Sequence, residues 1–161
     1  MEQIGRHSQH FLSEDTSMQI PPLTQSVGSA ERSMRALLER HLQDAGLSFP
    51  AWTALVFTNP SPLTIEQVAQ RQISGHIVSG TDEARQVIER LTETGLITAN
   101  ESDILTHTEK GSTLFKELSG KINDVTQALY GDLPSADLEA THRTLLEIAK
   151  RANSLLSPSK S

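Results

Sequence analysis

The side chains that could do chemistry fall into two sets. One is scattered. His7, His10, His41, His76, His107 and His142 are spread along the chain, and there is no cysteine. No phosphate loop, nucleophile motif or metal-spaced His/Asp/Glu cluster accompanies them. The expectation is therefore no enzyme, no catalytic residue, no cofactor, no metal and no disulfide or thiol switch. Convergence of His76, His107 and His142 in space is the alternative that trace-metal analysis would decide. The other set is concentrated. Between Thr81 and Glu93 the outward face of a predicted helix carries Asp82, Glu83, Arg85, Gln86, Glu89 and Arg90. These groups donate and accept hydrogen bonds, which is the chemistry of recognition. The competing reading is an ordinary solvated face, with Glu89 spaced for a surface pair with Arg85.

That face needs a scaffold, and the stretch from Thr64 to Gly111 supplies one. Thr64 and Gln67 form a T-x-x-Q capping box, so a helix should start at Thr64, and it should end near Arg71. Ile65, Val68 and Ala69 make its buried stripe. Gln72 to Gly80 (QISGHIVSG) is a long link, since helix-turn-helix units join through about three or four residues. Thr81 is the expected N-cap of the second helix, with Asp82 and Glu83 in the first turn, where the helix dipole favours negative charge. Ala84, Val87, Ile88 and Leu91 share its inner face, and Gly95 stops it. Leu96 and Ile97 start a strand that Ile104 and Leu105 pair with across Asn100-Glu101-Ser102. Two helices followed by a strand pair is the order of a winged helix-turn-helix.

The chain has 161 residues, 36% of them apolar, with one Trp, one Tyr and four Phe. This is one domain's worth of sequence with an aliphatic core. Long helices around so thin a core imply burial against a second copy. No apolar run approaches the roughly 20 residues of a membrane span, and residues 1–11 lack a signal-peptide stretch. A cytoplasmic protein without membrane contact is the expectation. A net charge of −6 excludes an indiscriminate nucleic-acid binder, but a specific one depends only on local charge.

Around the central unit the chain reads in order. Residues 1–25 are polar and contain Pro21-Pro22, giving a flexible arm that carries His7 and His10. A helix from about Ser26 or Ser29 to Ala45 repeats Met34, Leu37, Leu38, Leu42 and Ala45, stopped by Gly46. Ser48 caps the next helix with Pro50 in its first turn. Trp52, Leu55, Val56 and Phe57 follow, and Asn59-Pro60 ends it. Thr108 caps a helix with a seam of Leu114, Leu118, Ile122, Val125 and Leu129. Ser135 is the expected cap of a last helix, whose buried face is Leu138, Thr141, Leu145, Ile148, Ala149, Ala152 and Leu155. A frayed tail begins at Ser157.

In this arrangement the chain resembles the MarR family of dimeric winged-helix transcriptional regulators over about residues 29 to 156. AGLSFPAWTAL is similar to the end of the family's first helix and its second. LTIEQVAQ is similar to its third helix, and RQVIERLTETGLI to its recognition helix and first wing strand. THTEKG is similar to the start of its fifth helix, with His107 where the family usually has an apolar residue. LPSADLEATHRTLLEIAKRA is similar to its closing helix. The resemblance implies a mainly α fold with a small β-hairpin wing. A winged helix-turn-helix at residues 47–111 would be framed by dimerisation helices at 26–46 and 112–156. Two departures stand out. The span Thr98 to Thr106 (TANESDILT) lacks the family's D-x-R arginine and carries Glu101 and Asp103. The link before the recognition helix is also about four residues longer than a tight turn requires.

The resemblance further implies a homodimer on double-stranded DNA, reading a palindromic operator whose half-sites lie about one turn apart. Thr81, Asp82, Glu83, Arg85 and Gln86 would face the bases. Arg85 suits guanine, Gln86 suits adenine, and Glu83 would accept from cytosine N4. Arg71, Gln72, Ser79, Arg90 and Lys110 would meet phosphates. A small aromatic ligand would bind between the dimerisation helices and the winged unit, with Arg35, His41, Trp52 and Phe57 as lining candidates, and would release the DNA. The alternative is a winged-helix dimer that has lost DNA binding and serves as a protein-interaction or ligand-binding module.

Overall fold

A computed structural model describes residues 21–157. Its elements are α1 Leu23–Asp44, α2 Phe49–Thr58, β1 Leu63–Thr64, α3 Ile65–Ser74, α4 Thr81–Glu93, β2 Ile97–Ala99, β3 Ile104–His107, α5 Glu109–Tyr130 and α6 Ser135–Leu156. The expected arm lies outside the described residues for its first 20 positions, His7 and His10 included, and so does the tail from Pro158. Helix α1 begins at Leu23, earlier than Ser26, because Pro22 O accepts the N–H groups of Gln25 and Ser26 and opens the first turn.

Three helix ends share one geometry, a left-handed residue followed by an N–H that reaches back across the last turn. Gly46 (φ 70°) closes α1, with Leu47 N–H on Leu42 O at 2.9 Å. Gly95 (φ 72°) closes α4, with Leu96 N–H on Leu91 O at 2.9 Å. At α3 the left-handed residue is His76 (φ 55°), and Ile77 N–H bonds Gln72 O at 2.9 Å. Helix α3 therefore runs to Ser74, past the expected Arg71.

Tertiary anchoring explains the added turn. Gln72 is fully buried, and its Nε2 donates to Pro50 O (2.7 Å) and Thr53 Oγ1 (3.0 Å) of α2. The long link thus resolves into extra helix plus a turn from Gly75 to Gly80. Val78 plugs that turn into a small cluster with Ala69 and Ala84.

The expected starts of α2, α3 and α5 are present. Ser48 Oγ accepts from Ala51 N (3.2 Å). Thr64 and Gln67 cap each other's backbone at 3.2 and 2.9 Å. Thr108 Oγ1 accepts from Gly111 N at 3.0 Å. Two expected caps are corrected. Gly80, not Thr81, is the N-cap of α4, and Pro134, not Ser135, is that of α6, and neither makes a side-chain cap bond.

The wing has one strand more than the sequence implied. Order β1-β3-β2 is antiparallel, with Leu63 opposite Leu105 and Ile97 opposite His107. Two residues of strand before α3 are too short to leave a periodic signal. The wing turn is held by Asn100, whose Oδ1 accepts the N–H groups of Ser102 (2.9 Å) and Ile104 (3.0 Å).

Within residues 35–157 the core joins Leu42 of α1, Leu55 of α2, Val68 of α3, Ile88 and Leu91 of α4, Leu105 of β3 and Leu118 of α5. Trp52 stacks on Phe115 at 5.2 Å between ring centroids, and His107 meets the same ring edge-on. His107 Nε2 lies 3.0 Å from Leu55 O, which ties β3 to α2 and shows how an imidazole sits where an apolar residue was expected.

Helix α6 departs most from expectation. None of its residues is buried, and only Leu138 is half-covered. Leu145, Leu146, Ile148, Leu155 and Leu156 are exposed. The periodic face exists, but the helix's own chain does not cover it.

Candidate nucleic-acid interface

Helix α4 presents its outer face because its inner face is fixed. Ala84, Ile88 and Leu91 are 0–3% exposed, and burial of an Ile or Leu side chain stabilises by about 1.5–3 kcal/mol. The same 100° periodicity turns Asp82, Glu83, Arg85, Gln86, Glu89 and Arg90 to solvent, and all six are exposed. Thr81 is half-buried beside them. Glu89 and Arg85 form no ion pair, unlike the (i, i+4) pairs Lys121–Glu117 and Arg151–Glu147 on α5 and α6.

The start of α4 is set by a contact that the sequence reading assigned otherwise. Glu83 Oε2 accepts both from Ser79 N (2.8 Å) and from Ser79 Oγ (2.7 Å). The carboxylate reaches back over the helix start and fastens the residue that precedes the N-cap. The Ser79 N–H, then the Ser79 hydroxyl, hold the Glu83 carboxyl below the ordinary glutamate value. A group with a depressed folded pKa contributes stability at pH above its unfolded value. That contribution is lost as pH falls through the folded value. NMR titration should therefore place the Glu83 carboxyl below the ordinary glutamate value. Ser79→Ala should raise it part of the way and shrink the loss of stability on acidification.

The expected phosphate contacts divide. Arg71 is exposed at the end of α3, with its guanidinium 5.8 Å from the Phe57 ring centroid. Arg90 is exposed on α4. Lys110 Nζ donates to Thr94 O at 2.8 Å, capping the C-terminus of α4, and an ammonium has two further donors to offer. Ser79 already gives both donors to Glu83. Gln72 is a correction, since a fully buried amide engaged with α2 cannot reach a phosphate. At the wing, Glu101 and Asp103 are exposed and no cation stands in the turn.

The expected ligand-lining residues have packing partners of their own. Trp52 is buried against Phe115, so its ring is a packed core group, which corrects its assignment to a ligand. Arg35 lies over the Phe49 ring at 3.9 Å. Phe57 faces Arg71, and His41 is half-buried on α1. A groove of about 570 Å³ lies elsewhere, lined by Ala45, Leu96, Lys110, Thr113, Leu114 and Glu117, with Glu109 at its rim. Among the described residues no three His, Cys, Asp or Glu side chains are placed to hold a metal ion. No helix there is long and apolar enough to cross a membrane.

Sequence reasoning missed two contacts at this candidate site, the Ser79–Glu83 clamp and the Lys110 cap on α4. A Ser four residues before a Glu at a helix start was the signal for the first. The second joins residues 16 apart and has no local signal.

A helix-turn-helix with an exposed polar second helix, joined to a three-stranded antiparallel sheet, defines the winged-helix class. Comparison with solved structures narrows this to the winged-helix fold of the MarR-family transcriptional regulators. A MarR-family regulator from Rhodococcus sp. RHA1 superposes with a TM-score of 0.65 at 15% identity, over 81% of this chain and 98% of that one. CouR from Rhodococcus jostii RHA1, bound to p-coumaroyl-CoA, gives 0.67 at 16% identity, over 80% and 92%. A MarR family protein from Mycobacterium tuberculosis in complex with DNA gives 0.63 at 18%, over 80% and 98%. No protein-family profile matches the chain, and no curated protein does.

Proposed function

We propose that this chain is a homodimeric, sequence-specific DNA-binding transcriptional regulator, of the non-enzymatic kind that its structural neighbours represent. The observation that carries the reading is the outer face of α4. It is polar, exposed and free of ion pairs among the described residues, and the Ala84–Ile88–Leu91 stripe holds it rigidly. Arg85 and Gln86 stand on it one turn beyond the helix start, Arg90 is exposed further along the helix, Arg71 is exposed at the end of α3, and Lys110 lies at the far end of α4. The M. tuberculosis neighbour is a protein of this fold on DNA.

Magnitudes decide against the acidic wing as a veto. A carboxylate about 7 Å from a phosphate costs roughly 0.6 kcal/mol in water. A bidentate arginine–guanine pair discriminates by about 1–3 kcal/mol. Two wing carboxylates weaken binding without cancelling the contacts of two α4 helices. They do favour one alternative, a dimer of this fold that binds a protein or a ligand and no duplex.

The dimer is supported by the apolar surface left on the end helices. Leu129, Tyr130 and Leu133 continue into Leu145, Leu146, Ile148 and Leu155 of α6, all exposed in one protomer. A second copy covering these residues with its own would set the two α4 helices at a fixed separation. Release by a small ligand is part of the proposal, by extension from the CouR complex. The groove beside Leu96 and Leu114 is a better lining candidate than Arg35, His41, Trp52 and Phe57 together.

Selection from a random duplex library at physiological salt tests the reading. A palindromic motif with half-sites about one turn apart is the expected result. Arg85→Ala should cost about tenfold to a hundredfold on the selected site and relax one guanine position. Arg90→Ala should weaken all sequences alike and flatten the dependence of affinity on salt, because fewer counterions are released. Failure of the library to enrich any sequence would leave the protein- or ligand-binding dimer.

A further inference from the structure

The α3–α4 turn is gripped at several points. Gly75 N–H and His76 N–H bond Arg71 O and Ile73 O, each at 3.0 Å. Val78 is buried, and His76 Nε2 lies 3.4 Å from Asn153 Oδ1 of α6. The last two residues of the turn are held from α4 alone, Gly80 through its carbonyl, which accepts from Ala84 N at 3.2 Å. Gly80 is fully extended, and open space surrounds its α-carbon on the side where a Cβ would stand. Ser79 is exposed, and the bonds that hold it are the two it gives to Glu83 Oε2. The helix start has no side-chain cap.

We infer that Glu83 is a positioning residue of the interface and not a reader of bases. It acts through Ser79, holding the Ser79–Gly80 segment against the first turn of α4 so that Thr81, Arg85 and Gln86 are presented in one orientation. The geometry supports this in two ways. One oxygen takes two donors from one residue, which only a folded-back side chain can do. The same bonds remove Ser79 from the phosphate contacts, so the interface draws its charge from Arg71, Arg90 and Lys110. The inference deepens the DNA-binding reading and rests on it.

The experiment repeats the duplex selection with Glu83→Ala, Glu83→Gln and Ser79→Ala, measures affinity on the wild-type motif and on scrambled duplex, and follows the Ser79 amide by NMR. All three variants keep the buried stripe of α4, and thermal unfolding confirms that each is folded. A positioning role leaves the selected motif unchanged. Glu83→Ala should then weaken every sequence by about fivefold, the scale of one lost hydrogen bond. Glu83→Gln, which keeps an acceptor, should recover most of that loss, and the Ser79 amide should move in Glu83→Ala but little in Glu83→Gln. If Glu83→Ala relaxes one position of the motif, or Glu83→Gln rewrites it toward adenine, Glu83 reads a base and the inference is wrong. Unchanged affinity in Glu83→Ala also overturns it. A wild-type protein that selects no duplex ends the DNA-binding reading itself, an outcome distinct from either of these.

Discussion

Gly111→Ala should destabilise the protein by about 3 kcal/mol or more, the scale of severe overpacking against fixed backbone. Gly111 sits in the first turn of α5, directly over the start of the wing. A Cβ built there would lie inside the carbonyl oxygen of Leu96. That carbonyl cannot retreat, because it accepts from Thr108 N (3.1 Å), while Thr108 Oγ1 bonds Gly95 O (2.6 Å). Relief would pull α5 off the wing and break the Thr108 cap, or push Ile97 out of register with His107. Either movement loosens the base of the wing and the C-terminus of α4 together, so duplex affinity should fall with stability. Gly120→Ala is the control. It lies on the same helix with nothing within 4 Å of its would-be Cβ, and should gain about 0.5–1 kcal/mol. Urea unfolding of the two variants should move in opposite directions. Equal and small shifts would mean that α5 and Leu96 are not in contact.

Gln72→Glu should be the second severe change, and its penalty should depend on pH. The Gln72 side chain is fully buried, with Nε2 between Pro50 O and Thr53 Oγ1 and with Oε1 lacking a partner. A carboxylate there would face the Pro50 carbonyl, and the Thr53 hydroxyl could donate to it only by leaving Pro50 O. Burial raises such a carboxyl by up to several pKa units, and each unit is about 1.4 kcal/mol. Because the folded pKa is raised, the loss is small below the unfolded glutamate value and grows as pH rises above it. About 3–4 kcal/mol should be lost at pH 7, most of it regained near pH 4. Gln72→Leu removes the amide donor and the unpartnered acceptor at once, while Thr53 Oγ1 still donates to Pro50 O (2.9 Å). It should stay within about 1 kcal/mol of wild type. A Gln72→Glu protein as stable as wild type at neutral pH would show that this side chain is open to water and that α3 ends earlier. The original expectation of a phosphate contact would then revive.

Both predictions fall where local pattern and tertiary packing part company. The residues of α4 were legible because helical period is local. Ala84, Ile88 and Leu91 had to point inward, so Arg85, Gln86 and Arg90 had to point outward. The capping boxes and glycine stops were legible for the same reason, since each involves groups within one turn. Ser48, Thr64 and Thr108 start their helices as their chemistry requires, and Gly46 and Gly95 end theirs.

Packing between distant segments decided the rest. Gln72 looked like a surface amide at the end of a helix, and only α2, 19 to 22 residues away, makes it a core group. Trp52 could face a ligand until Phe115, from α5, covers it. Strand β1 exists because β3 lies beside it, not because Leu63-Thr64 has any pattern of its own. Glu83 carried the right type for a base contact, but the fold of the turn brings Ser79 to it first. Period and capping depend on neighbours within four residues, and the sequence determined these. Which polar groups remain available to a partner depends on what the folded chain places against them, and that was decided only by the tertiary structure.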